Sequence, residues 1–301
     1  MAKTYRMYQI DAFTKERFTG NPAGVVTNAD GLTDADMQHI ARELNNSETA
    51  FVFSENVQAG DVRVRFFTPT TEVPLCGHAT ISAHYARALE ERFSGRTRVL
   101  QETGAGVLPV EVCEDEGDYR VVMTQGEISI GEPLPIEVQT RILQALGVDR
   151  GQLISELPMS IASTGHSKVM VGIRDSGRLH VLQPDLTALA RISVDIGCNG
   201  YYVFTLHPDQ DVLVHGRMFA PAIGIAEDPV TGNANGPLGA YLVQMGYAGK
   251  AEEPFVFEAV QGESMGRAGR ISVEVDIRNA RPCRVRVSGY AVVVFKMEME
   301  L

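Results

Sequence analysis

Apolar and polar residues alternate over 6–13, a period of two that predicts a strand. Residues 18–26, FTGNPAGVV, read as a turn running into a short apolar strand. Over 32–45 the period lengthens to that of a helix. Met37, Ile40, Ala41 and Leu44 share its apolar face, Thr33 can cap it, and Asp34 and Asp36 suit its positive end. The segments ETAFVFS from Glu48 and DVRVRFFTP from Asp61 are rich in β-branched and aromatic residues and predict strands. Residues 79–91 predict an apolar-faced helix, and 107–113 with 118–123 a hairpin across an acidic turn. Residues 126–135 hold two prolines and several turn formers, the pattern of a crossing between domains.

The remainder continues in the same style. A helix is expected near 140–146 and another within 233–245, with strands at 167–173, 200–205, through VLVHGRMFAP, at 270–277 and at 284–295. Many strands with few helices, without regular βαβ alternation, predict an α+β fold.

An internal repeat organises this pattern. Arg65-Phe66-Phe67-Thr68-Pro69 returns 152 residues later as Arg217-Met218-Phe219-Ala220-Pro221. Nine residues beyond each phenylalanine stands a polar site, Cys76-Gly77-His78 in one half and Asp228-Pro229 in the other, and each then enters a helix. Upstream, ETAFVF and NGYYVF correspond at nearly the same offset. The expectation is two related halves around a pseudo-two-fold axis, with their loop-to-helix turns converging on one cleft.

The 301 residues suit two domains at about 150 residues each. With 27 basic and 38 acidic side chains the net charge is −11, which disfavours nucleic acid and anionic membrane as partners. No apolar run reaches the length of a membrane span, and no secretory leader pattern opens the chain. Four cysteines without a C-x-x-C pair fit a reduced, cytoplasmic protein. Cys113, Cys198 and Cys283, in strand-like contexts, read as core thiols.

A helix N-terminus offers unpaired N–H groups and the positive end of a dipole to a carboxylate or phosphate. Cys76-Gly77-His78 and Thr231-Gly232-Asn233 both place glycine at such an entry, or are ordinary helix starts. Glu48, between a helix end and an apolar strand, is either a proton-transfer group or a solvated loop acid. His78 is a base or donor, or a partner for Glu72; Asp228 is catalytic, or caps the turn before Pro229. His78 and His84 lie on different helix faces, which disfavours a shared metal. HExxH, Walker-lysine and GxSxG motifs are absent.

YQIDAFTKERFTGNPAGVV, the Asn-x-Ser-Glu-Thr-Ala-Phe segment, PLCGHATISAHYA and GIAEDPVTGNANGPLGAYL closely resemble the phenazine-biosynthesis PhzF isomerase family. The resemblance runs from Tyr8 to the C-terminal strand. It implies a diaminopimelate epimerase-like fold: two pseudo-symmetric halves, each a β-barrel-like sheet around a central helix, with the active cleft between them. The halves would be 1–125, completed by the strand 288–301, and 126–287. It further implies Glu48, His78 and Asp228 as catalytic residues, with Ser47, Cys76, Gly77, Gly232 and Asn233 lining the substrate. The family often has serine where this chain has Asn233. The implied activity is a cofactor-independent, metal-independent isomerase that moves a proton on a small carboxylate by general acid/base catalysis. A homodimer is compatible with it.

Related racemases face two cysteines across the cleft. Cys76 stands at the first position, and the repeat offset of 152 puts Asp228 at the second, so the thiol pair lacks its partner and Cys76 reads as a pocket-lining residue. Two alternatives stay open: a racemase or epimerase using a non-cysteine pair such as Glu48 and Asp228, and a non-catalytic binding member of the fold.

Overall fold

The computed structural model describes residues 3–55, 57–208, 210–247 and 253–301. The chain divides into two compact units, Met1–Thr124 with Ser288–Leu301, and Gln125–Val287. Among the described residues no helix is long and apolar enough to cross a membrane.

The first unit runs β1 (Thr4–Ala12), β2 (Asn21–Val26), α1 (Asp34–Leu44), β3 (Thr49–Phe53), β4 (Val62–Phe67), β5 (Glu72–Val73), α2 (Gly77–Glu91), β6 (Arg96–Thr103), β7 (Gly106–Asp115) and β8 (Asp118–Thr124), and takes in the C-terminal strand Ala291–Glu300. Strands β2 and β3 are parallel, β3 and β4 antiparallel, and β4 and β6 parallel. Helix α2 packs against β1, β2, β3, β7, β8 and the C-terminal strand, so the sheet wraps around it. That explains its sequence: small and apolar residues on almost every side, with little amphipathic bias. Helix α1 lies outside, on one apolar stripe, and begins with a capping box between Thr33 and Asp36.

The second unit runs β9 (Ser129–Pro133), α3 (Ile136–Leu146), β10 (Ser160–Ser163), β11 (Lys168–Gly172), α4 (Ser176–His180), α5 (Leu186–Ile196), β12 (Tyr201–Leu206), β13 (Val214–Ala220), β14 (Ile225–Asp228), α6 (Gly232–Gln244), β15 (Phe255–Gln261), β16 (Gly269–Arg278) and β17 (Arg281–Gly289). Its pairing repeats that of the first: β11 parallel to β12, β12 antiparallel to β13, β13 parallel to β15. The repeat extends to single residues. Thr49 faces Phe67 and Phe51 faces Arg65; 152 residues on, Tyr201 faces Phe219 and Val203 faces Arg217. Helix α6 is buried along most of its length against β10, β11, β15 and β16. Inside α6, Pro237 lacks an N–H for the carbonyl of Asn233 and crowds it. Asn233 departs from helical geometry at φ −76°, ψ 18°, so the bend falls in the first turn.

Three expectations need correction. Residues 284–295 are two strands, β17 and the C-terminal strand, separated at Tyr290, whose carbonyl accepts from Phe13 N at 2.7 Å. Ser288-Gly289 inside that stretch is the local mark of the corner. The 126–135 segment, expected as a crossing, opens the second unit and also contains β9, paired with β10. Cys283 is exposed and Cys113 half-buried; only Cys198 among the three is a core thiol. The helix expected near 140–146 starts a full turn earlier, at Ile136, directly after Pro135. Strands β6, β10 and β15 and helices α4 and α5 add to the expected elements.

Candidate functional site

In the first unit the chain brings four of the singled-out residues together. Helix α1 ends at Asn45 in the left-handed region, φ 52°, which turns the chain sharply into Ser47 and Glu48 before β3. Strand β5 leads through Pro74 to Cys76, the N-cap of α2, which makes no side-chain cap bond. The carboxylate of Glu48 lies 3.4 Å from His78 Nε2, and Ser47 Oγ is 3.2 Å from the same nitrogen. On the other side of the ring, Cys76 Sγ is 3.4 Å from His78 Nδ1. His78 is 7% exposed and the Glu48 side chain 15%, so the imidazole is held while the acid keeps a path to solvent.

Thiol, imidazole and carboxylate each place one donor atom within 4.8 Å of the other two, a set that could hold a divalent ion. Carboxylate and thiol approach opposite ring nitrogens, however, so the ring spans between them as a proton relay would. A Cβ built on Gly77 meets nothing within 4 Å. The first turn of α2 therefore opens onto free space where an anion can approach N–H groups without a side chain in the way. Glu72 serves Arg65 and not His78: its two oxygens take the guanidinium at 2.8 and 2.7 Å. His84 is a core histidine, with Nε2 2.7 Å from Gln101 Oε1, and burial pushes it down to about 3.

In the second unit Asp228 ends β14 and is 9% exposed. Its carboxylate accepts from the hydroxyl of Thr231, the N-cap of α6, which is the turn-holding bond one reading expected. A buried polar network backs this turn. Gln261 Nε2 donates to the Asp228 carbonyl at 2.7 Å and to Thr231 Oγ1 at 3.0 Å. Asn235 Nδ2 donates to the Thr231 carbonyl at 3.0 Å, and Tyr202 donates to Asn235 Oδ1 at 2.6 Å. Every buried polar group in such a network has a partner, which fixes one conformation of the loop. Asn233 accepts from Gln125 Nε2 at 3.4 Å, and a Cβ on Gly232 meets Val287 and Gln125 at ordinary contact distances.

The structure corrects the position matched to Cys76. A 3₁₀ turn, Pro221–Ile223, adds three residues after β13, so Arg65 and Glu72 are seven apart but Arg217 and Glu227 ten. Beyond that insertion the counterpart of Cys76 is Thr231, the N-cap of the equivalent helix, and Asp228 stands where the first unit has Val73. The signal was legible: EVPLCGHAT aligns with EDPVTGNAN without a gap. The backing bond repeats too, since Thr80 Oγ1 donates to the Cys76 carbonyl at 2.7 Å as Asn235 does to Thr231. Absence of a second thiol stands under either alignment. Lys168, which the sequence reading passed over, is 3% exposed at the start of β11, and Asp228 and Cys198 lie in its field.

Comparison with known proteins agrees with this architecture. The phenazine biosynthesis-like family model, PhzC-PhzF, matches residues 10–297. An uncharacterized isomerase of Clostridium acetobutylicum is 57% identical over the whole of both chains. A trans-2,3-dihydro-3-hydroxyanthranilate isomerase of Pseudomonas aeruginosa is 32% identical over 95% of each chain. The crystal structure of a PhzF-family phenazine biosynthesis protein of Bacillus anthracis superposes with a TM-score of 0.87 at 31% identity over 99% of each chain. The duplicated α+β fold, the helix starts it exposes and these likenesses together make the chain a member of the PhzC/PhzF phenazine biosynthesis-like family, a family of isomerases and epimerases.

Proposed function

We propose that the protein is a cofactor-independent isomerase that relocates a proton on a small carboxylate-bearing substrate, with Glu48 as the acid/base. The observation that carries this is the His78 ring held between Glu48 and Cys76 at the open start of α2. In this reading the substrate carboxylate takes the N–H groups at Gly77, where charge developing on it is stabilised by the helix end. A Glu48 oxygen removes a proton from a substrate carbon. The C–H electron pair moves into the conjugated system, and the same carboxyl returns the proton at a second carbon. His78 orients Glu48, and Ser47 fixes the ring. In the second unit, Asp228 is a further acid/base group in this reading, and Gly232 and Asn233 are ligand-binding residues at the start of α6.

A relative of this chain is named as an isomerase of trans-2,3-dihydro-3-hydroxyanthranilate, so that compound is the first to test. Incubation in deuterium oxide should place one deuterium on a ring carbon of the product and none when Glu48 is replaced by Gln. A panel of cyclic and amino-acid carboxylates, followed the same way, extends the test to other substrates. Failure of every carboxylate to exchange a carbon-bound proton would reject the isomerase reading.

A further inference from the structure

We propose that Lys168 is an anion-binding residue of the second unit, whose ammonium takes the carboxylate of a ligand. The proposal goes beyond the reading given above: it concerns an anion site of the second unit by itself. Lys168 opens β11, whose following residues Val169, Met170 and Val171 are fully buried, and is itself 3% exposed. A lysine ammonium carries three donors. Among the described residues its hydrogen bonding is one bond, to the carbonyl of its neighbour Ser167 at 3.2 Å. Buried charges are paired or coordinate something, because burial without a partner is costly.

The fold does not call for this charge. In the first unit β2 is to β3 what β11 is to β12, and the registers Gly24 with Thr49 and Val169 with Tyr201 make Ala23 the counterpart of Lys168. Ala23 is fully buried and apolar. One copy of the repeat thus builds this strand start with a methyl group and the other with an ammonium.

Two groups of the second unit act on this ammonium, and a ligand anion would share it with them. The titratable groups in its field are the Asp228 carboxyl at the end of β14 and the Cys198 thiol before β12. His166, in the loop before β11, is held below its usual value by its own burial and by Lys168, and so adds no competing charge at neutral pH. That loop is tied to the start of α6 through Gln125, whose side chain accepts from Thr164 Oγ1 at 2.6 Å and reaches Asn233. Burial pushes the Lys168 ammonium down to about 8, which leaves it charged at neutral pH and uncharged a little above.

The test is calorimetric titration of benzoate, a plain carboxylate, into wild type and Lys168→Met at pH 7 and pH 9.5. The expected result is at least tenfold weaker binding in the variant, and a loss of affinity in the wild type at pH 9.5 that the variant does not share. Binding within twofold of wild type, or no benzoate binding by wild type at millimolar concentration, overturns the proposal. Inorganic phosphate is titrated in parallel; Lys168-dependent binding of phosphate alone overturns the carboxylate assignment. A second measurement needs no variant: reductive methylation of the wild-type protein, read by peptide mass spectrometry. Benzoate should slow modification of Lys168 and not of exposed Lys296; equal rates with and without benzoate count against the proposal. Glu48→Gln separates this claim from the isomerase reading. If wild type shows no proton exchange while benzoate binding still depends on Lys168, the isomerase reading falls and the anion site stands.

Discussion

The two units share a scaffold and differ in what they display at equivalent positions. Each has an arginine on its third repeat strand that grips a glutamate with both nitrogens, Arg65 with Glu72 and Arg217 with Glu227, and that lies over the phenylalanine two residues on. Each central helix starts with an N-cap whose carbonyl is held by a polar side chain one turn later. Those residues set register and helix entry. At the helix start and before the second repeat strand the units part company. Ser47, Glu48, Cys76 and His78 have Asn199, Gly200, Thr231 and Asn233 as counterparts, while Ala23 and Val73 are answered by Lys168 and Asp228. Duplication preserved what the fold needs and varied the residues proposed to meet a ligand.

The sharpest way to test that division is at Glu48 and Gly200. Glu48→Gln keeps shape but cannot carry the proton, so kcat should fall about 10²–10⁴-fold with little change in KM. Near-normal kcat in that variant removes Glu48 from the chemistry. Gly200→Ala acts on folding instead. Its Cβ would stand 2.5 Å from the Phe219 carbonyl oxygen, and overpacking of this kind costs about 1–3 kcal/mol.

The duplicated ion pairs should contribute unequally. Arg217 and Glu227 have side chains 9% and 17% exposed, and Arg217 also donates to the carbonyls of Leu179 and Leu182. Removing one partner of a pair this buried costs about 3–5 kcal/mol. Arg65 and Glu72 are 22% and 43% exposed, where a pair is worth about 1 kcal/mol or less. Urea unfolding of Arg217→Met and Arg65→Met measures both; equal losses would show that burial does not separate the two copies.

Lys168 predicts a pH effect on stability. With the folded value depressed to about 8 from 10.5, the unfolded state binds more protons between those limits, so stability rises as pH climbs through that window. The gain is about 3 kcal/mol at full deprotonation. Lys168→Met should be more stable than wild type at pH 7 and lack the rise; thermal melts at pH 7, 9 and 10.5 read this out.

The two glycines at the helix starts should behave alike for the fold and differently for binding. Gly77→Ala leaves the melting temperature unchanged, because its Cβ enters open space, and weakens carboxylate binding in that same space. A Gly77→Ala variant with unchanged KM for the isomerised substrate would place the substrate carboxylate elsewhere. The smallest effect is expected at Cys76. Under the proposed mechanism Cys76→Ala should retain activity within about tenfold, since a carboxylate and not a thiolate would move the proton. A collapse of kcat with the fold intact would make the thiol part of the relay through His78.

The sequence by itself determined most of this architecture. Period-two and helical patterns place β1, α1 and β4, because those elements have one more-covered face or a cap set by local chemistry, while the apolar residues of β3 and α2 mark elements covered on nearly every side. The R-x-F-x-P repeat exposes the duplication, since register-setting residues must recur where strands pair identically. Strand β10, four residues long, left no clear mark. Tertiary structure alone decided two further matters. It put the His78 ring between a carboxylate and a thiol that lie 28 residues apart in sequence. It also buried Lys168, because how much a charge is desolvated depends on what strands and loops close over it, and no local pattern records that.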